Sequence, residues 1–283
     1  MNAPETLAVP QKAVLVKRHS IAVRLTHWIN VLCLTLLLLS GLQIFNAHPQ
    51  LYWGQYGADN DPSFIDISAV ESGDTIRGVT RIGTLQLPTT GVLGASKDAD
   101  GELTARGFPS WLTLPSYQDL ATGRRWHFFF AWLFVLNGLA YLLYGFAAGH
   151  FRRDLLPSRD QIRPSHLLQE VRDHARLRFP RGDEARRYNA LQKITYLVVI
   201  FVLLPGMVAT GLTMSPGFDA IAPWLLDLFG GRQSARTIHF LTASALVLFV
   251  VVHVTMVIAS GPWNNMRSMI SGRYAIRTKE PRS

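Results

Sequence analysis

Residues Ser234–Ala259 read SARTIHFLTASALVLFVVVHVTMVIA, and two histidines within them, His239 and His253, decide how the chain is built. At about 100° per residue, fourteen helical steps return to within about 40° of the starting face, so both imidazoles look the same way. The same steps rise roughly 21 Å, about two-thirds of the ~30 Å hydrocarbon thickness of a bilayer. Two nitrogen ligands at two depths of one apolar face are costly in lipid unless each has a partner. Two stacked metal or haem centres would supply those partners.

Three further runs share the apolar character of this one: Leu25 to Phe45, Trp126 to Ala148 and Ile194 to Met214. Each reaches the roughly 20 residues a helix needs to span a bilayer. They explain why only 17% of the 283 residues are charged while 48% are hydrophobic. The expected fold is an all-α integral membrane protein, a four-transmembrane-helix bundle forming a single domain over 1–283. Its spans fall at about 21–45, 126–148, 190–214 and 234–259.

The net charge of +9 could suggest nucleic acid, but its distribution argues otherwise. Lys and Arg number four in residues 1–26, eleven in 149–193 and five after Gly261, whereas 46–125 holds six against nine Asp and Glu. That is the positive-inside pattern. It expects a multi-pass protein of the bacterial inner membrane, with both termini and the 149–189 loop cytoplasmic. Residues 46–125 form a long periplasmic insertion, and the partner of the basic charge is the bilayer, not nucleic acid.

Cys33 is the single cysteine and lies within the first span, so neither an intrachain disulfide nor a thiolate cluster is available. A Cys-x-x-Cys-His attachment motif is also absent, so any haem is held non-covalently. The first apolar run is too long for a signal-peptide core and lacks a clear cleavage site, so it reads as a retained anchor. Ser20 suits the N-cap of the first helix. Thr75 to Leu87 alternates like a short hairpin, and Pro164 to Phe179 reads as a basic amphipathic helix on the inner leaflet. Pro205 predicts a kink in the third span. Trp126, Trp224 and Trp263 mark span ends.

Depth sorts the histidines. With the first span running outward, His27 lies near the cytoplasmic face. The second and fourth spans run inward, so His127 and His239 lie outside and His253 inside. One outer pair, His127 with His239, and one inner pair, His27 with His253, result. Each suits bis-imidazole ligation of a haem iron, an arrangement fit for one-electron transfer and poor at binding substrate. Gly41, fourteen residues after His27, and Gly145, eighteen after His127, share those faces and would make room for a flat macrocycle. Gly206 and Gly211 would do the same in the third span. Arg24, Arg124 and Arg125 are candidate partners for haem propionates. His19, His48, His150, His166 and His174 fall in tails and loops and read as solvated.

At these residues the chain resembles the dihaem cytochrome b membrane subunits of formate dehydrogenases, nickel–iron hydrogenases and thiosulfate reductase-type molybdoenzymes. The resemblance covers all four spans. It rests on Arg24-Leu-Thr-His27-Trp28, His127 opening the second span, Tyr188-Asn189-Ala-Leu-Gln192-Lys193 and the His239/His253 pair. It implies two haem b groups and electron flow between a periplasmic redox partner, of molybdopterin type, and a membrane quinone. By the same resemblance, Asn189 and Gln192 would line the quinone site near His253. The large insertion departs from the compact formate dehydrogenase pattern. A stand-alone quinone-linked oxidoreductase, such as a superoxide oxidase, uses the same haems and stays open as the alternative. A transporter or zinc protein using the histidines as a relay would leave their pairing by depth unexplained.

Overall fold

In chain order, the computed structural model forms β1 (Lys12–Lys17), α1 (Ile21–Phe45), β2 (Gln50–Leu51), β3 (Ile65–Ser72), β4 (Thr75–Ile82), β5 (Leu85–Pro88), β6 (Ala95–Lys97) and β7 (Leu103–Ala105). Then come α2 (Leu120–Ala147), α3 (Pro164–Ala175), α4 (Ala190–Val198), α5 (Leu204–Thr213), α6 (Pro216–Ile221), α7 (Pro223–Leu228), α8 (Arg232–Ala259), α9 (Pro262–Ser271) and β8 (Arg273–Thr278). The structure describes residues 12–58, 61–73, 75–98, 100–176 and 189–278. Tyr188 and the Leu177 to Phe179 end of the expected amphipathic helix lie outside them.

Among the described residues, four helical stretches are long and apolar enough to cross a membrane: α1, α2, Ala190–Thr213 and α8. Their polarity is inside out. Leu136, Leu143 and Leu248 are more than 60% exposed, whereas Ser40, Thr210 and Thr237 are fully buried. A water-soluble helix would do the opposite, so the outward apolar faces meet lipid. The chain is a multi-pass membrane protein.

Local chemistry sets the helix ends. The Val23 N–H donates to Ser20 Oγ at 3.2 Å, which caps α1 where the sequence placed it. α2 opens at Leu120, six residues before the apolar run, because Asp119 Oδ1 accepts from the N–H groups of Ala121 (2.9 Å) and Thr122 (3.1 Å). In the third span a π-helical turn, Val199–Leu203, precedes Pro205. Proline lacks an N–H and crowds the carbonyl four residues back, and the wider turn relieves both.

The expectation of an all-α chain is corrected by the strands. The hairpin read over Thr75 to Leu87 is present as β4 and β5, inside an antiparallel sheet of order β2-β3-β4-β5, while β6 pairs with β7. Short alternating runs interrupted by Gly and Asp carry a weak periodic signal, and pairing between distant segments fixes them. Gly78 permits close approach here, since a Cβ would stand 2.1 Å from the Leu93 carbonyl oxygen.

The chain divides into two compact units. One comprises Met1–His27, Ala140–Val199 and Leu248–Ser283. In it β1 and β8 pair antiparallel, Lys17 opposite Arg273, and the Arg18 guanidinium lies 4.5 Å over the Tyr274 ring. The Tyr144 hydroxyl donates to Ser20 Oγ at 2.8 Å. Glu170 accepts from the N–H groups of Ala190 and Leu191, and the buried Lys193 ammonium donates to the Leu156 carbonyl (3.3 Å) and Gln161 Oε1 (3.2 Å).

The other unit comprises Trp28–Leu139 and Ile200–Val247. Cys33 packs with Phe130 and Phe134, and Asn137 Nδ2 donates to Asn30 Oδ1 at 2.7 Å. The inserted sheet closes over Phe45, Leu51 and Ile67, against which Phe108 and Phe240 pack. Its first residues seat on the start of α8: Ser234 Oγ accepts from the Gly54 N–H (2.7 Å), Thr237 Oγ1 donates to the Tyr52 carbonyl (2.6 Å), and Arg236 donates to the carbonyls of His48 and Gln50.

Candidate functional site: two histidine pairs

The chain brings its span histidines together two by two. In the unit that contains α1's start and α8's end, the His27 and His253 ring centroids stand 6.4 Å apart with planes at 61°. In the other unit, His127 and His239 stand 6.4 Å apart with planes at 63°. A metal–imidazole bond is about 2.0 Å long and the ring centre lies roughly 1.1 Å behind the nitrogen, so two imidazoles across one ion have centroids about 6 Å apart. Both pairs have a spacing close to the one that an iron ion held between two imidazoles would need. The donor set fits as well: imidazole beside imidazole, with no metal-binding carboxylate or thiolate cluster among the described residues, suits haem iron.

Each pair has its own surroundings. Phe249 stacks on His253 at 5.8 Å. His127 Nδ1 lies 3.2 Å from Ser40 Oγ, and His239 Nδ1 lies 2.9 Å from Thr210 Oγ1. A Cβ on Gly41 would come within 3.3 Å of His127 Cε1, and one on Gly211 within 3.4 Å of His239 Cε1. These two glycines therefore make room for the imidazoles themselves. Gly206 faces open space.

Gly145 differs from its expectation. A Cβ there would stand 2.3 Å from Phe151 Cζ, so its missing side chain accommodates the phenyl ring of the π-helical turn Phe151–Leu155 and not a macrocycle. Arg24 donates from Nη1 to the Ile270 carbonyl, while its Nε is buried without an acceptor among the described residues, an orphan donor that suits a carboxylate. Arg124 and Arg125 are exposed, and the Arg124 guanidinium sits 5.5 Å over Phe128. Asn189 caps α4, its Oδ1 accepting from the Gln192 N–H at 2.8 Å, and Gln192 is half-buried.

His19, His48 and His150, expected to be solvated, are half-buried. His19 lies just before α1, and its pKa is pushed down to about 4, first by burial and then by the charge of Arg18, followed by His27, His150 and Arg24. His150 Nδ1 pairs with Asp154 at 2.7 Å, and His166 Nε2 with Glu170 at 3.0 Å. The sequence reading missed Ser40, Thr210 and Arg236. The first two had a signal, since each immediately precedes a glycine placed beside a histidine.

Residues 18–272 match the family model described as prokaryotic cytochrome b561. The chain belongs to that family. This cytochrome b561 chain is 29% identical over 241 residues to a putative protein-methionine-sulfoxide reductase subunit, YedZ1, of Azospira oryzae, a match covering 83% of this chain and 86% of the relative. It is 27% identical over 158 residues to a probable Ni/Fe-hydrogenase B-type cytochrome subunit of Cupriavidus necator, covering 52% and 64%. No solved structure matches it. Family membership makes the chain a membrane electron-transfer cytochrome and implies haem b.

Proposed function

We propose that this cytochrome b561 carries electrons between the membrane quinone pool and a periplasmic redox partner, using two haem b groups. His27 and His253 would hold the inner haem, and His127 and His239 the outer one. The observation that carries this reading is the common 6.4 Å spacing of the two pairs. Held by these histidines, haem would supply reversible one-electron chemistry.

The protein's own residues do the rest. Neutral imidazoles in an apolar bundle offer nitrogen lone pairs, and the lipid-facing leucines keep water from them. The buried Nε of Arg24, three residues before His27, is a fitting donor to a propionate of the inner group. Gln192 and Asn189, at the start of the third span, are the candidate quinone residues. The amide of Gln192 is half-buried beside the buried Lys193. The insertion, with nine acidic against six basic residues over 46–125, would face the periplasm. The similarity to named reductase and hydrogenase subunits supports a separate catalytic protein, and we favour one of molybdopterin type. Residues 1–283 would form a single cytochrome b domain with both termini in the cytoplasm.

The test is spectroscopic. Pyridine haemochrome analysis of purified protein is expected to give two b haems per chain. His239→Ala is expected to leave one haem, still reducible by quinol. One haem or none in the parent protein, or loss of both in the variant, would overturn the reading.

A further inference from the structure

Ser40 and Thr210 occupy matching positions. Each is fully buried, precedes a glycine that lies against a histidine ring, and places its hydroxyl oxygen on that ring's Nδ1. One hydroxyl comes from α1 to a histidine of α2, the other from α5 to a histidine of α8.

The hydroxyl hydrogens are already committed. Ser40 Oγ donates to the Leu36 carbonyl at 2.6 Å, with the Leu37 carbonyl at 3.3 Å. Thr210 Oγ1 donates to the Gly206 carbonyl at 2.6 Å, with the Met207 carbonyl at 3.3 Å. A hydroxyl has one hydrogen, so toward the imidazole each oxygen can only accept. Nδ1 must then be the protonated nitrogen of both rings. Nε2 of each ring is left bare.

We propose that Ser40 and Thr210 are positioning residues for the His127–His239 centre, fixing the tautomer that presents Nε2 to iron and lowering that centre's reduction potential. The inference rests on the reading of this pair as haem ligands. An imidazole that donates its second N–H is a stronger base, and a more basic ligand favours ferric over ferrous iron. Two such bonds on one iron act in the same direction, and neither touches His27 or His253.

The experiment is a potentiometric titration of the purified cytochrome and of Ser40→Ala, Thr210→Val, Ser40→Thr and Thr210→Ser. The hydroxyl-deleting variants are expected to raise the potential of one haem and leave the other where it is. The hydroxyl-retaining exchanges are expected to stay at the parent value. Loss of that haem from both deletions, with retention in both exchanges, equally supports the positioning role. An unmoved potential in Ser40→Ala and Thr210→Val, or equal movement of both haems, overturns it. A parent protein without two haems would instead remove the underlying reading.

Discussion

At the scale of single residues, the histidines were legible because charge cost in lipid is unforgiving: a buried imidazole at a given depth needs a partner at that depth. The glycines were less legible. A glycine signals that a side chain is unwelcome but not which neighbour excludes it, and Gly145 proved to face Phe151 where a cofactor had been expected. Gly145→Ala is therefore expected to overpack this contact and cost about 1–3 kcal/mol in thermal unfolding, with haem content preserved. Combined with Phe151→Leu, the loss should be smaller than the sum of the two single losses. Strict additivity would show that the ring can move away at no cost. Asn189 presents the converse problem, because its side-chain oxygen already caps a helix. Asn189→Ser keeps a capping oxygen and removes the amide. If the amide serves quinone, quinol oxidation slows several-fold at unchanged haem content and melting temperature. Unchanged turnover would assign Asn189 to the cap alone.

At the scale of elements, the start of α2 shows what hydropathy cannot see. An apolar run begins at Trp126, yet the helix begins at Leu120 because a carboxylate satisfies its first N–H groups. The clue in the sequence was Asp119 followed by Thr122, a polar pattern that apolar periodicity passes over. The same blindness hid the sheet, whose strands gain stability from partners far along the chain. Asp119 carries a pH dependence. The Thr122 hydroxyl at 2.6 Å, the Thr122 N–H and the Ala121 N–H hold its carboxyl below the usual aspartate value. A carboxylate whose folded pKa lies below its unfolded one stabilises at every pH above the unfolded value, and loses that contribution as pH falls through the folded one. Asp119→Ala is thus expected to lower the melting temperature at pH 7 and to flatten its decline below about pH 4. Equal slopes for the two proteins in the acid range would show that the cap does not titrate in this way.

For the whole molecule, the charge asymmetry makes a claim that the distances within each unit do not. Eleven Lys and Arg crowd residues 149–193, while the insertion of 46–125 has six against nine acidic residues. Basic loops resist translocation and acidic ones do not, so the asymmetry sets which face each loop occupies. Cysteine labelling reads this directly, because the chain has one native cysteine and Cys33 is fully buried among Phe130 and Phe134. The insertion can be probed at Thr84, exposed beside the tight turn at Gly83, and the basic connection at exposed Ser158. In spheroplasts, a membrane-impermeant maleimide is expected to label Thr84→Cys and to leave Ser158→Cys untouched until the membrane is permeabilised. The opposite order would turn the topology over, placing the insertion in the cytoplasm and the basic connection in the periplasm. Labelling of the parent chain would mean that Cys33 is reachable, contradicting the packing of α1 against α2.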